Sequence, residues 1–234
     1  MIDSYNKMPI GLYFQLQALI LAEPDDYEWK PKALALLTGK PEEALLQMPL
    51  PEFSALMRRA AFLVTPPQTE RAKSAYKAGP FELVPTTDAN KVTTAQYIDF
   101  QTFCKEENDE ARVVNVLSCM LVPKGKKYCQ DCDPGEVREA IRKHITVVDA
   151  LSLYGFFFAQ LLTSMRLSLT YSEKLVSRMQ KMPATARRDR EIKKAQARIA
   201  EAKKQMASIN DGDGLRMLTP FQKLAAVLGM RFGL

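Results

Sequence analysis

The chain has 234 residues, 47% of them apolar, with 33 Lys/Arg against 27 Asp/Glu and a formal net charge of +6. That length bounds it to one larger domain or two small ones, and that apolar fraction excludes general disorder. The charge is uneven: Glu173 to Met206 holds 11 Lys/Arg and 4 Asp/Glu, which leaves 22 basic against 23 acidic residues elsewhere, so the basic character belongs to one segment.

The opening MIDSYNKMPIGLYFQ carries no secretory pattern: Asp3 comes early, and its short apolar run lacks a small-residue cleavage site. The uncharged run from Ala150 to Met165, bounded by Asp149 and Arg166, is about one helical turn short of a bilayer span. A soluble, intracellular protein is expected. Its four cysteines, Cys104, Cys119, Cys129 and Cys132, are then expected as free thiols. Cys129 and Cys132 have CxxC spacing, but a second pair is missing and His144 is the single histidine. Asp133-Pro134-Gly135 follows as a turn, where a thioredoxin-like site would need a helix opening after a strand. No metal and no cofactor are expected.

In chain order, residues 8–22 predict a helix, with Pro9 in its first turn and Leu12, Leu16 and Leu19 on one face. Lys32–Leu37 predicts a second helix stopped at Gly39. A short helix restarts at Lys40-Pro41-Glu42-Glu43, and Glu52–Val64 predicts an amphipathic helix carrying Phe53, Leu56, Met57, Ala60 and Leu63. These make a first helical unit, 1–64. Residues 65–91 are a connector containing Pro66, Pro67, Pro80 and Pro85. Within it Thr69–Lys77 suggests a short polar helix, and Phe81–Val84 alternates like a strand.

A second helical unit, 92–171, opens at Thr93-Thr94-Ala95-Gln96, a capping-box pattern. Helices are expected from Thr94 to about Lys105, over Ala111–Val122 and over Glu136–Lys143, with a loop at 126–135. Thr146 then caps the most apolar run of the chain, Thr146–Tyr171. Asp149 suits the first turn of that helix, and Tyr154, Phe157, Leu161 and Met165 recur on one face, with Phe158, Leu162 and Leu169 beside them. A helix so widely apolar is expected at the centre of the core. The two units echo one another: Met8–Leu19 lies over Val92–Phe103, Lys32–Lys40 over Val113–Leu121, and Glu52–Leu63 over Asp149–Gln160, as two copies of one helical unit would.

The segment 172–209 is expected to be a basic helical arm split at Pro183. From Thr185 onward it has high helix propensity, with Ile192, Ala195, Ile199, Ala202 and Met206 spaced as a seam and Asp189 placed to pair with Lys193. Three roles are open to it: a solvated helix, phosphate contact through Arg187, Arg188, Arg190, Lys193 and Lys194, or a seam for a partner protein. Asn210–Gly214 reads as a turn that lacks the final Glu of a calcium loop. The last segment, 215–234, predicts an amphipathic helix with Thr219 as cap and Pro220 first. Its Phe221, Leu224, Val227 and Leu228 form a face that folds back on the core or docks into a partner groove.

The run TTAQYIDFQ, then LSCMLVPKGKKY, VREAI and VVDALSLYGFFFAQL, over about Val92–Tyr171, resembles tail-assembly-chaperone or baseplate-hub-assembly-like proteins of tailed phages and prophages. The Cys129–Cys132 turn and the basic arm depart from that pattern. The resemblance implies an all-α fold and a non-enzymatic assembly or virion role exerted through helix-mediated contacts. It further implies a partner such as a tape-measure or other tail or particle protein. The place of action is then the host cytoplasm during assembly, with retention in the virion a further expectation, and self-association is compatible with it. The alternative is a nucleic-acid-associated structural protein using 185–208. With one histidine, no glycine-rich phosphate loop and no nucleophile motif, an enzyme is not expected.

Overall fold

The computed structural model describes residues 1–22, 28–86, 91–181 and 185–208. The chain is helical, with a small sheet. Its elements are α1 (Ile10–Ala22), α2 (Trp29–Thr38), α3 (Glu42–Leu46), α4 (Leu50–Arg59) with a 3-10 turn over Ala60–Val64, β1 (Tyr76–Ala78), β2 (Phe81–Pro85), α5 (Thr94–Phe103), α6 (Asp109–Met120), β3 (Leu121–Pro123), α7 (Pro134–His144), α8 (Val147–Gln180) and α9 (Ala186–Ser208). The described residues fall into two compact units, one covering Met1–Tyr154 and one beginning at Gly155. The division lies inside α8.

Within the first unit, local signals set the helix ends. Gly39 takes the left-handed conformation after α2, at φ 70°, and its N–H reaches the Ala35 carbonyl at 2.8 Å. Asn108 caps α6 by accepting from the Ala111 N–H, and Asp133 caps α7 by accepting from the Gly135 N–H. Thr146 accepts from the Asp149 N–H at the start of α8. The start of α1 is tied to the α7–α8 junction: the Ile10 N–H donates to the Ile145 carbonyl and the Val147 N–H to the Met8 carbonyl. All four side chains are buried, so the apolar ends of two distant segments close over a backbone bridge. Tyr5 carries the same logic to the 3-10 turn. Its ring meets Phe62 edge-on at 5.0 Å and its hydroxyl donates to the Leu63 carbonyl at 3.1 Å.

The connector differs from expectation. Thr69–Lys77 is not helical; it leads into β1, bending at Ser74. Two anchors explain this. The Glu70 N–H donates to Ser152 Oγ at 2.8 Å, and the Lys73 N–H, a donor that a helix over these residues would need, goes to the Tyr76 hydroxyl at 2.7 Å. The Lys73 ammonium also meets Asp149 at 2.7 Å. β1, β2 and β3 form an antiparallel sheet in that order, with Tyr76 opposite Leu83 and Leu83 opposite Pro123. The β1–β2 turn needs Gly79, whose φ is +58°, followed by Pro80; a side chain there would also press on the His144 ring. β3 follows α6 directly, in place of the helix expected to continue to Val122.

The Thr93 capping box is formed in both directions. The Gln96 N–H donates to Thr93 Oγ1, and the Thr93 N–H donates to Gln96 Oε1. Buried Gln96 also donates from Nε2 to the Cys119 carbonyl at 2.9 Å, joining α5 to α6. Gln96→Glu keeps the cap acceptor but sets a carboxylate oxygen against that carbonyl. It is expected to lower unfolding free energy by about 1–3 kcal/mol, read by urea denaturation. A purely capping role predicts no loss, since Glu serves that position equally well.

Candidate interaction surface

α8 changes character along its length. Val147, Val148, Ala150, Leu151, Leu153, Tyr154 and Phe157 are buried, whereas Thr163, Arg166, Leu167, Thr170 and Tyr171 are exposed. The expectation of a helix central to the core as far as Tyr171 is corrected here. Its buried described side chains lie in the first three turns and, far along, at Val176, and the helix continues for nine residues beyond Tyr171 to Gln180.

Past that point a new seam takes over. The least exposed residues of the last turns of α8 are Leu169, Ser172, Val176 and Met179, and those of α9 are Ile192, Ala195, Ile199 and Ala202. Both sets follow the same three-four-three spacing, which keeps one face of a helix against a neighbour. Lys203 Nζ lies 2.8 Å from Glu173 Oε1. That ion pair joins the later part of α8 to the end of α9 within one compact unit. On these two helices Val176 and Ile192 are buried.

Thr185 caps α9 by accepting from the Arg188 N–H at 3.2 Å. Around α9, exposed Arg190, Lys193, Lys194 and Lys204 fall on the side opposite the seam, with Arg198 at its flank. Lys194 meets Glu191 at 3.5 Å, and Arg188 holds Asp189 at 2.6 Å in place of the expected Asp189–Lys193 pair. The side chain of Arg187 lies outside the described ones. Of the predicted phosphate contacts, then, Arg190, Lys193 and Lys194 share the solvent face, while Arg188 is partly engaged. Pro183, Asn210–Gly214 and the face of Phe221, Leu224, Val227 and Leu228 lie outside the described residues.

On α8 a second apolar row faces solvent: Leu167, Tyr171 and Leu175 are 67%, 69% and 43% exposed. Their four-residue spacing puts them on one face, roughly 140° around the helix from Val176. Sequence reasoning missed this row because it ended the apolar helix at Tyr171 and began a polar arm there, although the four-residue spacing is legible in the sequence.

In the first unit, a cleft of about 600 Å³ lies among β2, β3 and the start of α5, lined by Lys91, Lys124, Lys126, Lys127, Gln96 and Tyr128. Lys124 is held by both oxygens of Glu82 at 3.0 Å. The Tyr128 hydroxyl donates to Asp99 at 2.7 Å and lies 3.4 Å from Cys119 Sγ. Burial pushes the Cys119 thiol up to about 12 and the Cys104 thiol up to about 11. The four cysteines are free, and Cys129 is exposed on a left-handed residue with φ 56°. Iodoacetamide at pH 8 is therefore expected to label Cys129 first and Cys119 only on unfolding, as read by peptide mass. Because both raised thiols bind protons more tightly when folded, stability is present below their ordinary value near 9 and declines as pH rises toward 11 and 12.

Among the described residues, no group of three or more His, Cys, Asp or Glu is placed to hold a metal ion, and no helix is long and apolar enough to cross a membrane. Comparison with protein-family models, curated proteins and solved structures gives no match.

Proposed function

We propose that this protein is a non-enzymatic assembly factor of the tailed-phage kind, working in the host cytoplasm through helix-mediated contacts with a tail or particle protein. The observation that carries this reading is the helical hairpin of α8 and α9. Val176 and Ile192 are buried on it and Glu173 pairs with Lys203, yet Leu167, Tyr171 and Leu175 remain in solvent. An isolated chain gains nothing for its own fold from such a row, whereas a helix-in-groove or helix-on-helix contact uses side chains at this spacing. Co-expression with the tail structural proteins tests it: retention of a tape-measure or tail protein on the tagged full chain is expected, and a chain that retains none contradicts it.

A second reading is favoured by one feature, the basic solvent face of α9 built from Arg190, Lys193, Lys194 and Lys204. Such a face suits phosphate contact without base readout. It predicts nucleic-acid binding that weakens steeply between about 50 and 200 mM salt and is lost when Arg190, Lys193 and Lys194 are replaced by glutamate. No binding at low salt would rule it out.

A further inference from the structure

Lys91, Lys124, Lys126 and Lys127 are exposed around the cleft of about 600 Å³ between β2, β3 and the start of α5. Among the described residues lining that cleft, none is aspartate or glutamate. Outside Glu173–Met206 the chain holds 22 basic against 23 acidic residues, so a lining of one sign is a local arrangement and not a reflection of composition. Three carboxylates touch lining residues, and each is engaged. Glu82 holds Lys124 at 3.0 Å, Asp99 accepts from the Tyr128 hydroxyl at 2.7 Å, and Asp131 accepts from the Lys127 N–H at 3.2 Å. Among the described residues, no carboxylate pairs with the ammonium groups of Lys91, Lys126 or Lys127.

We propose that this cleft binds a small ligand carrying a chain of phosphates. The site lies in the first unit and does not depend on the contact role of α8 and α9. A tight turn places three of its lysines. Gly125 takes φ +76° and the Lys126 N–H donates to the Pro123 carbonyl at 2.9 Å, which turns the chain at the end of β3 and brings Lys124, Lys126 and Lys127 to one cleft. A cleft lined by one sign of charge concentrates ligands of the other. The first turn of α5 adds to that field: Ala95 and Gln96 line the cleft, the helix N-terminus is its positive end, and its cap, Thr93, is uncharged.

The residue types select the class of anion. No arginine lines the cleft among the described residues, so the two-pronged grip that favours a planar carboxylate is missing. Lysine ammonium groups act as point charges and suit phosphate oxygens. The volume exceeds that of one phosphate and falls in the range of sites for whole small molecules. Val84 and Val122 add apolar lining for a body attached to the chain of charges.

Isothermal titration calorimetry of the full chain with sodium tripolyphosphate and with ATP, at ~50 mM salt and without magnesium, tests this. A dissociation constant on the order of 100 μM is expected, rising at least ~5-fold at ~300 mM salt. Lys126→Gln combined with Lys127→Gln should weaken binding at least ~10-fold at an unchanged melting temperature, because both side chains are exposed. Glu82→Gln releases Lys124 and should tighten binding ~3-fold. Lys193→Glu combined with Lys194→Glu, on α9, should leave it unchanged. ATP binding at least ~5-fold tighter than tripolyphosphate identifies the ligand as a nucleotide, and equal affinities identify the phosphate chain itself; either upholds the site. A wild-type chain that binds neither at ~1 mM overturns the proposal. Binding that survives the Lys126 and Lys127 substitutions but is lost with those at Lys193 and Lys194 also overturns it, by moving the anion to α9.

Discussion

Trp29→Ala is expected to lower the unfolding free energy by about 3–5 kcal/mol, among the largest losses any single side chain of the first unit should produce. Trp29 opens α2 and is 1% exposed. α2 packs against α1, α3 and α4, and α1 brings buried Tyr13, Leu16 and Ile20 to the same core. Removing the indole leaves a cavity that three neighbouring helices, each held by its own backbone bonds, cannot close by small shifts. Leu50, on α4 and 76% exposed, gives the contrast: Leu50→Ala should change stability by no more than about 0.5 kcal/mol. Urea denaturation with a shared slope compares the two, and equal losses would contradict the placement of the core between α1 and α2.

Gly11→Ala is expected to destabilise where helix propensity alone predicts the opposite sign. Alanine within a helix normally gains about 1 kcal/mol over glycine. At position 11, however, a Cβ would come within 2.4 Å of Arg142 Cγ and 2.9 Å of the Arg142 carbonyl oxygen. The Arg142 side chain cannot simply swing clear. Its guanidinium meets Glu110 at 2.8 Å and also holds Glu139, and the carbonyl belongs to the backbone of α7. α1 and α7 must therefore separate, at a net loss of about 1–3 kcal/mol. Gly155 is the control. It lies within α8, and a methyl group added there would meet open space out to 4 Å, so Gly155→Ala should stabilise by about 0.5–1 kcal/mol. Thermal melts that move in the same direction for both would count against the α1–α7 approach.

What can be read from the sequence is what is coded locally. The Thr93–Gln96 box, the Gly39 stop, the Thr146 cap and the helix spacing of Ile192, Ala195, Ile199 and Ala202 all depend on residues within one or two turns of each other, and each appears as expected. What cannot be read depends on partners distant in the chain. Thr69–Lys77 has a helix-like composition, but the Ser152 hydroxyl and the Tyr76 hydroxyl take the backbone N–H groups of Glu70 and Lys73, and the segment is not helical. β3 looks like the end of an apolar helix until β2 is beside it, pairing Leu121 with Pro85 and Pro123 with Leu83. The expected core helix runs too far because apolar character along α8 has two sources. Its first turns, through Tyr154, are buried in the first unit, and near its end Val176 is buried while Glu173 pairs with Lys203 of α9. Composition sums these two faces and hides the solvent-facing row at Leu167, Tyr171 and Leu175.

Hydrogen exchange along the full chain, with and without a co-purified tail protein, tests most directly whether function resides on the hairpin. Added protection concentrated in residues 163–180 and 186–204 is the predicted result. Protection confined to residues 1–154, or none anywhere on a chain that retains its partner, would contradict it.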